Sequence, residues 1–398
     1  MKKLTILILL AVLAISVLQC SDRENPVISD IPHGLYFQFS FTSDAITGDI
    51  MQDFPNRDVI VYAPPGYDTE NTDVRYPVVY MLHGVFADHN YFRGLFNIGN
   101  VMDEMIYNGD IEPMLIVTPN ATNNLGGSFY TNSPDFGEGS FAGNMEDFII
   151  DEVVHIVDSV FNTIPDRKHR AIAGHSMGGY GAMKLAMLHS DMFGATASMS
   201  GPVAFWGTYP ADQTPETGFP GVLALLPAVM DENNWTPGDM ASFYNISPGP
   251  GKRITNMMFA MASAFSPHDP ANPDTTYAHR FTTAQYTGYV DLPFDYTGAT
   301  AMPVWALWLA NDVTTMLASG AAPAFDDMDV YVDCGDSDDI YLHYHAQVFD
   351  NVFSGYVGRD LDYFEIYPAI LNYEAGHTNL IGARLPYVFE FLDQSFSN

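Results

Sequence analysis

Cysteine is almost absent from this 398-residue chain, which contains two. Cys20 lies at the end of an N-terminal apolar stretch, and Cys334 is the other one. If the Cys20 thiol is modified and cannot pair with Cys334, no internal disulfide can form. The stability of the folded state then depends on packing. Hydrophobic residues make up 47% of the chain and aromatic residues 14%. This composition is sufficient for a large core and excludes an intrinsically disordered protein.

Basic residues are also scarce. Lysine and arginine together number 15 against 48 aspartates and glutamates, which gives a formal net charge of −33. A surface this acidic repels both nucleic-acid phosphates and anionic lipid headgroups. The composition therefore argues against nucleic acid as a partner and against membrane binding through a basic patch.

One long uncharged, mostly apolar run occurs at residues 4–18, directly after two lysines. It is shorter than a bilayer-spanning helix requires and is typical of an export signal. The run ends at Cys20, which is followed by the polar sequence SDREN. This arrangement resembles a bacterial lipoprotein signal, in which the cysteine is acylated after cleavage. It predicts a signal peptide over 1–19, a lipid anchor on Cys20 and a linker over 20–34.

The expected location is therefore the bacterial cell envelope, at the outer membrane or cell surface, with the membrane contacted only through the lipid on Cys20. An ordinary secreted protein is the alternative. Acyl chains contribute about 0.8 kcal/mol per buried methylene group, so more than one chain on Cys20 would retain the protein on a membrane.

Several apolar segments have the composition of strands that are buried on both faces. They span residues 58–64, 77–83, 114–119, 170–174, 195–200, 329–334 and 363–368. Helix-periodic stretches lie between them, beginning at residues 95, 144, 177 and 380. This alternation predicts an α/β fold with a mainly parallel sheet flanked by helices. The sequence FQFSFTS at 37–43 predicts an additional antiparallel edge strand.

Residues 201–302 interrupt this alternation. They contain 12 of the 26 prolines and many aromatic residues. A connection this long inside a compact domain usually has a function, and we expect an irregular insertion that acts as a lid or pocket wall. A small packed subdomain that never contacts a ligand is the alternative.

The pentapeptide Gly174-His175-Ser176-Met177-Gly178 has the pattern G-x-S-x-G and lies between a predicted strand and a predicted helix. Small residues on both sides of the serine permit a sharp turn, which would expose its hydroxyl at the carboxyl edge of the sheet. The first N–H groups of the following helix would favour a developing anion there. A purely structural glycine-rich turn is the alternative to a nucleophile.

A serine hydroxyl becomes a good nucleophile when a neighbouring base takes its proton and a third group orients that base. His377 lies in a loop between the last predicted strand and the closing helix, which is the position that a base requires. His175 is on the wrong side of the turn. His343 and His345 are two positions apart in a predicted helix and face different directions, so no metal site is expected there.

The acid should come from the aspartate-rich loop in DVYVDCGDSDDIY, at the end of another predicted strand. Three residues of this loop, Asp336, Asp338 and Asp339, carry a carboxylate close enough to the strand end. The pattern alone leaves the choice among them open.

Three sequence blocks resemble the esterase D family of α/β-hydrolases. They are RYPVVYMLHGVFADHNYF, RAIAGHSMGGYGAMKLAMLHSDMFGA, and VDCGDSDDIY followed by AGHTNLIGARLPYVFEFL. The family includes feruloyl and acetylxylan esterases, S-formylglutathione hydrolases and antigen 85 mycolyltransferases. The resemblance covers residues 57–200 and 329–392 and implies an α/β-hydrolase fold over 35–398, with the insertion at about 201–302.

Carried over residue by residue, the resemblance implies that Ser176 is the nucleophile, His377 the base and Asp338 the acid. It also implies that the backbone N–H groups of Val85 and Met177 form the oxyanion hole. The family often has small residues after the first of these donors, whereas this chain has Phe86. We therefore expect Phe86 to narrow the acyl pocket.

These features predict an exported serine carboxylesterase that acts through an acyl-enzyme, without metal or organic cofactor. The expected substrate is a small-molecule or carbohydrate-linked ester, such as a feruloyl or acetyl ester. An acyltransferase with the same triad and a non-catalytic surface-binding lipoprotein are the alternatives.

Overall fold

The computed structural model describes residues 31–206, 221–368 and 374–397. The predicted signal peptide at 1–19, the predicted lipidation site Cys20 and most of the predicted linker at 20–34 lie outside the described residues. Part of the predicted insertion, residues 207–220, also lies outside them.

The main sheet has eight strands, and a separate two-stranded hairpin lies in the insertion. In chain order the strands are β1 Leu35–Thr42, β2 Asn56–Ala63, β3 Val78–Leu82, β4 Leu115–Pro119, β5 Arg170–His175, β6 Ala195–Met199, β7 Ala278–Thr282, β8 Thr287–Asp291, β9 Asp329–Gly335 and β10 Tyr363–Tyr367. The order across the main sheet is β1-β2-β4-β3-β5-β6-β9-β10. From β4 to β10 all neighbours are parallel, as predicted.

The antiparallel edge strand predicted at 37–43 is present as β1. It pairs with β2 in a register that places Leu35 opposite Ala63 and Thr42 opposite Asn56. β2 in turn runs antiparallel to β4. The inner strands β3, β4, β5 and β6 are buried along their whole length, which explains their continuous apolar sequences.

Helices cover both faces of this sheet. In chain order they are α1 Tyr91–Phe96, α2 Ile98–Asn108, α3 at 145–160, α4 Met177–Leu188, α5 Leu226–Asn233, α6 Met240–Phe243, α7 Arg253–Phe265, α8 Met302–Leu309, α9 Val313–Met316, α10 Leu342–Val357 and α11 Ile381–Phe396. α3 contains a π-helical stretch, Phe148–Val153. No helix among the described residues is long and apolar enough to cross a bilayer.

The prediction of one helix from residue 95 is wrong in one respect, because the chain forms two helices in this region. Asn97 separates α1 from α2 and has a left-handed backbone, with φ 50° and ψ 45°. Asparagine adopts this conformation more readily than most residues, so the apolar periodicity continues while the helix does not.

Two apolar layers lie on opposite faces of the sheet. Tyr80 and Leu82 of β3 belong to one layer, and Val79 and Met81 of the same strand belong to the other. This division follows from the alternation of side chains along a strand. The sheet is therefore packed on both sides, and the parallel strands β3, β5, β9 and β10 end at the same carboxyl edge.

The insertion is more regular than predicted. It contains α5, α6, α7 and the β7–β8 hairpin. α7 was not predicted, and eleven of its thirteen residues are buried. The rings of Trp235, Phe243 and Phe294 pack on one another, which shows that many aromatic residues of the insertion stabilise the segment itself.

Candidate active site

Ser176 occupies the turn between β5 and α4. Its backbone has φ 58° and ψ −121°, a conformation that costs energy for a residue with a side chain. The turn also requires close backbone contacts. A Cβ atom at Gly178 would collide with the carbonyl of Leu82 in β3, and one at Gly174 would collide with the backbone of Gly178. The two glycines of the motif are therefore needed where they stand, and the turn projects the Ser176 side chain at the carboxyl edge of the sheet.

The structure brings Ser176, His377 and Asp338 into one hydrogen-bonded row. The distance from His377 Nε2 to Ser176 Oγ is 2.9 Å, and the distance from His377 Nδ1 to Asp338 Oδ2 is 2.8 Å. Because a carboxylate can only accept, Nδ1 carries a proton, and in the neutral ring the lone pair of Nε2 faces the serine hydroxyl. This is the arrangement in which an imidazole can take the proton of a serine.

Asp338 is the carboxylate of its loop that reaches His377. Burial raises the pKa of Asp338, but hydrogen bonds from His377 and from the Ile340 backbone N–H outweigh it, so the pKa lies below its usual value. The carboxylate is therefore ionised at neutral pH. Asp336 instead accepts a hydrogen bond from its neighbour Ser337, and Asp339 pairs with Arg253 at 2.6 Å.

Val85 and Met177 border the space beside Ser176 Oγ. Val85 lies in the loop after β3, and Met177 is the first residue of α4, where backbone N–H groups have no partner within the helix. The Phe86 N–H donates to the carbonyl of Gly126 at 2.7 Å, which fixes this loop. The Phe86 ring lines an open cavity at Ser176 and does not line the smaller space beside Val85.

His175 supports the loop that carries His377. Its Nε2 lies 2.8 Å from the backbone carbonyl of His377, and its Nδ1 lies 2.8 Å from the hydroxyl of Tyr91. A carbonyl only accepts, so Nε2 is protonated and Tyr91 donates to Nδ1. Burial lowers the pKa of His175 well below its usual value, which keeps the ring neutral. His175 was correctly not expected to be the base, but this contact could not be predicted from the sequence, because Tyr91 and His175 are far apart in the chain.

The open cavity has a volume of about 800 Å³ and is lined by Ser176 and His377. Other parts of its wall come from α1 and its preceding loop, which contribute Asp88 and Tyr91. Arg253, Ile254 and Met257 line it from the first turns of α7. The insertion thus contributes directly to the wall of the site.

Comparison with known proteins identifies the family. The Esterase family model matches residues 55–255, which include β2 to β6 and the serine turn. The chain belongs to this esterase family. The predicted resemblance to the esterase D family is thereby confirmed at the level of the family.

Two curated relatives of the esterase match over part of their length. An endo-1,4-beta-xylanase/feruloyl esterase of Xylanibacter ruminicola is 33% identical over 184 residues, which are 45% of this chain and 23% of the relative. Esterase Rv1288 of Mycobacterium tuberculosis is 33% identical over 151 residues, which are 37% of this chain and 30% of the relative. The chain thus spans less than a third of the length of either relative.

Solved structures support the fold of the esterase. A ferulic acid esterase superposes with a TM-score of 0.55 at 19% identity and covers 92% of this chain and 99% of its own. An S-formylglutathione hydrolase from Agrobacterium tumefaciens superposes with a TM-score of 0.54 at 15% identity, covering 92% of this chain and 96% of its own. Together with the parallel sheet and its flanking helices, these similarities show that the esterase has the α/β-hydrolase fold.

A buried ion pair connects β9 with α11, which lie next to two loops of the site. Arg384 in α11 pairs with Asp333 in β9, and its Nε lies 3.1 Å from Asp333 Oδ2. The same carboxylate accepts a hydrogen bond from the Tyr331 hydroxyl at 2.7 Å, and the guanidinium also donates to Ser200 Oγ. β9 leads into the Asp338 loop, and α11 follows the His377 loop. The pair therefore fixes the two loops that carry Asp338 and His377.

Two further buried histidines, His345 and His279, lie outside the row formed by Ser176, His377 and Asp338. His345 accepts from the Ala204 N–H at 3.4 Å, and burial lowers its pKa to about 3. His279 lies against the ring of Phe243, and burial lowers its pKa to about 4. Over residues 31–206, 221–368 and 374–397, no group of three or more histidine, cysteine, aspartate or glutamate residues is arranged to hold a metal ion.

Two buried carboxylates lie behind the loop at 122–126, which contributes to the cavity wall. Asp53 Oδ1 accepts the Asn124 N–H at 2.6 Å, and Asp49 accepts the Asp53 N–H at 3.2 Å. Burial raises the pKa of Asp53 to about 7, with a contribution from the nearby Asp49, and raises the pKa of Asp49 to about 6. The buried Arg57 is the cation that opposes this increase.

The Asp53→Asn substitution is expected to reduce the pH dependence of stability between pH 4 and 7. In that range the folded state retains a proton on Asp53 that the unfolded state, with a pKa of 3.8, has released. The free energy of unfolding therefore falls as pH rises, by up to about 1.4 kcal/mol per pH unit for one proton. Asparagine keeps the oxygen that accepts from Asn124 and removes the charge, so the variant should be more stable than wild type at pH 8.

Urea unfolding at pH 4, 5, 6, 7 and 8 measures this effect. The Asp73→Asn substitution, at an exposed position, is the control and should preserve the wild-type pH profile. An Asp53→Asn variant with the same slope as wild type would show that Asp53 is already ionised throughout this range.

Proposed function

We propose that the protein is an exported serine carboxylesterase that hydrolyses carboxylic esters through an acyl-enzyme on Ser176. The observation that carries the proposal is the row from Ser176 Oγ through His377 to Asp338, with separations of 2.9 and 2.8 Å. Membership of the esterase family supports the reaction class. Val85 and Met177 supply the oxyanion hole in this proposal.

In the first half-reaction, Ser176 Oγ attacks the ester carbonyl while His377 Nε2 takes the hydroxyl proton. The N–H groups of Val85 and Met177 stabilise the oxyanion, and one such donor is typically worth about 2.7–4 kcal/mol. Asp338 stays ionised and stabilises the imidazolium. His377 then gives its proton to the leaving alcohol, and the acyl-enzyme remains.

In the second half-reaction, water takes the place of the alcohol. His377 accepts a proton from this water, which attacks the acyl carbonyl carbon. The bond from that carbon to Ser176 Oγ then breaks, His377 returns the proton to Ser176 Oγ, and the carboxylic acid leaves. The cavity of about 800 Å³ next to His377 provides access for water. No step requires a metal or an organic cofactor.

Carbohydrate-linked esters are the proposed substrates. Support comes from the name of one relative, an endo-1,4-beta-xylanase/feruloyl esterase, and from the size of the open cavity, which can accept a bulky alcohol. The high acidic charge disfavours polyanionic substrates.

An active-site label combined with an ester panel tests the proposal. Diisopropyl fluorophosphate should modify the peptide that contains Ser176 in one-to-one stoichiometry, as read by mass spectrometry. Acetylated, feruloylated and simple short-chain esters should then show which are hydrolysed, with loss of activity in proportion to labelling. Modification of another serine, or hydrolysis that continues after complete labelling, would refute the proposed site.

The Cys20→Ser substitution is expected to release the protein from membranes, because it removes the atom that would carry the acyl chains. A chain of net charge −33 is repelled by anionic lipid, so in this proposal the acyl chains hold the protein on the membrane. Membrane fractionation of expressing bacteria, together with incorporation of labelled palmitate, provides the measurement. Cys334→Ser is the matched control and should leave both unchanged, since Cys334 is buried in β9. Continued membrane association of the Cys20→Ser variant would exclude the anchor.

A further inference from the structure

A second side chain besides His377 contacts the carboxylate of Asp338. The sulfur of Cys334, in β9, lies 3.5 Å from Asp338 Oδ2, and the same oxygen lies 2.8 Å from His377 Nδ1. The sulfur also lies 3.4 Å from Ser200 Oγ. Cys334, Ser200 and Asp338 are all buried, and a hydrogen bond is electrostatically stronger in such surroundings than in water.

One arrangement of hydrogens satisfies these groups. Arg384 Nη1 and Nη2 each lie 3.2 Å from Ser200 Oγ and can only donate, so they occupy both lone pairs of that oxygen. The Ser200 hydroxyl therefore donates its own hydrogen, and Cys334 Sγ accepts it. The thiol has a single hydrogen, which goes to Asp338 Oδ2 because a carboxylate can only accept. Burial raises the pKa of the Cys334 thiol well above its usual value, which keeps this hydrogen in place.

The backbone of Ser200 holds its side chain in this position. Ser200 directly follows β6 and has a φ of 48°, a left-handed conformation that is uncommon for a residue with a side chain. Its N–H donates to the carbonyl of Asp333 at 2.8 Å. A conformation of this kind costs energy and persists where the surrounding structure holds it. It places the Ser200 hydroxyl between Arg384 and Cys334.

A row of hydrogen bonds thus leads from a buried cation to Asp338. The guanidinium of Arg384 pairs directly with Asp333. It reaches Asp338 through the hydroxyl of Ser200 and the thiol of Cys334. Each bond in such a chain polarises the next one, which strengthens the last bond of the row. While the imidazole of the triad is neutral, this row supports the negative charge of Asp338.

We propose that Cys334 and Ser200 are positioning residues that act on the reaction through Asp338. The thiol donates to Asp338 Oδ2, and the Ser200 hydroxyl directs the thiol. The inference rests on the proposed serine mechanism and adds two residues that do not contact the ester. Asp338 then has a donor on each oxygen, because the Ile340 N–H lies 3.0 Å from Oδ1. These two donors fix the plane of the carboxylate with Oδ2 facing His377.

The stretching vibration of the thiol tests the direction of this bond. The infrared band of an S–H group lies apart from the other bands of a protein and moves to lower wavenumber as the thiol donates a stronger hydrogen bond. In a Cys20→Ser background Cys334 is the single cysteine of the chain, so the band belongs to it. Adding Asp338→Asn should move the band to higher wavenumber, because the amide N–H₂ group in place of Oδ2 cannot accept.

Asp336→Asn in the same background is the matched control. It removes a carboxylate from the same loop that contacts Ser337, and the band should keep its position. A band that Asp338→Asn leaves in place would show that the thiol does not donate to Asp338 and would overturn the inference.

The same band tests the part played by Ser200. Ser200→Ala removes the hydroxyl that donates to the sulfur, so the S–H group is less polarised and its band should move to higher wavenumber. Ser198→Ala, at a buried serine of β6, is the control and should leave the band in place. An equal position of the band in both variants would remove Ser200 from the row.

Kinetics of three Cys334 variants separate the hydrogen bond from the volume of the side chain. Cys334→Ala and Cys334→Val cannot donate, and kcat for 4-nitrophenyl acetate should fall about threefold to tenfold, as expected for the loss of one weak hydrogen bond. The KM should change little, since Cys334 does not line the open cavity. Cys334→Ser keeps a donor and should retain kcat within about twofold of wild type. Wild-type kcat in the alanine variant, or an equal loss in the serine variant, would contradict the role of the thiol as a donor. If the alanine and valine variants do not fold, the infrared comparison decides the question.

The two measurements separate this inference from the proposed function. Ester hydrolysis that requires Ser176, together with an S–H band that does not respond to Asp338→Asn, would leave the serine mechanism in place and overturn the role of Cys334. Absence of ester hydrolysis in the wild-type protein would remove the proposed function, and with it the positioning role, whatever the position of the band.

Discussion

The Ser176→Ala substitution is expected to reduce the kcat/KM for 4-nitrophenyl acetate by about 10⁴- to 10⁶-fold. In the proposed mechanism it removes the atom that forms the acyl-enzyme and leaves only binding and the oxyanion donors. The fold should be retained, because serine and alanine both carry a Cβ and meet the same strain at φ 58° and ψ −121°. Steady-state kinetics and thermal unfolding followed by circular dichroism provide the two measurements.

Ser198→Ala is the matched control for this variant. Ser198 is buried in β6, next to the strand that leads into Ser176, and its hydroxyl makes no hydrogen bond within the described part of the chain. Removal of this hydroxyl should change turnover by less than about twofold. It should change the free energy of unfolding by less than about 0.5 kcal/mol. If Ser176→Ala kept more than about 1% of wild-type activity, well above the residual rate that such variants show, the nucleophile would have to be another residue.

The strands of the sheet could be predicted because their physical signal is local. A parallel strand covered on both faces needs apolar residues at every position, so the runs at 114–119 and 170–174 correspond closely to β4 and β5. The serine turn could be predicted for a related reason. The glycines of the motif are required by close contact with β3, and this requirement is visible in the sequence itself.

The choice among the three aspartates could not be made from the residues alone. Asp336, Asp338 and Asp339 have the same chemistry, and the outcome depends on which carboxylate turns inward. The Ile340 N–H at 3.0 Å holds Asp338 in that orientation, a contact that no spacing rule specifies. The resemblance to the esterase D family indicated Asp338, because it adds the information of a known loop geometry.

Contacts between segments that are far apart in the chain could not be predicted from the sequence either. The hydrogen bonds of His175 with Tyr91 and with the carbonyl of His377 join three separate parts of the chain. The placement of α7 over Ser176 depends likewise on how the insertion packs.

The Asp338→Asn substitution is expected to lower kcat by about 10⁴-fold through the tautomer of His377. Oδ1 of Asp338 accepts the Ile340 N–H, so an asparagine there must keep its oxygen on that side. Its amide N–H₂ group then faces His377 Nδ1 and donates to it. The proton of the neutral imidazole moves to Nε2, which can no longer accept the proton of Ser176. The ring can remain in place while its function as a base is lost.

Kinetics and a crystal structure of the Asp338→Asn variant together test this reasoning. The kcat should fall while the KM changes little, since Asp338 lines neither cavity. Asp336→Asn is the matched control, because Asp336 lies in the same loop but contacts Ser337 and not His377. Wild-type kcat in Asp338→Asn, or a large loss in Asp336→Asn, would transfer the role of the acid to another residue. A change of tautomer preserves the distance between Ser176 and His377, whereas a movement of the ring does not. If the His377 ring is displaced in the crystal structure of the variant, the loss of activity results from its position and not from its tautomer.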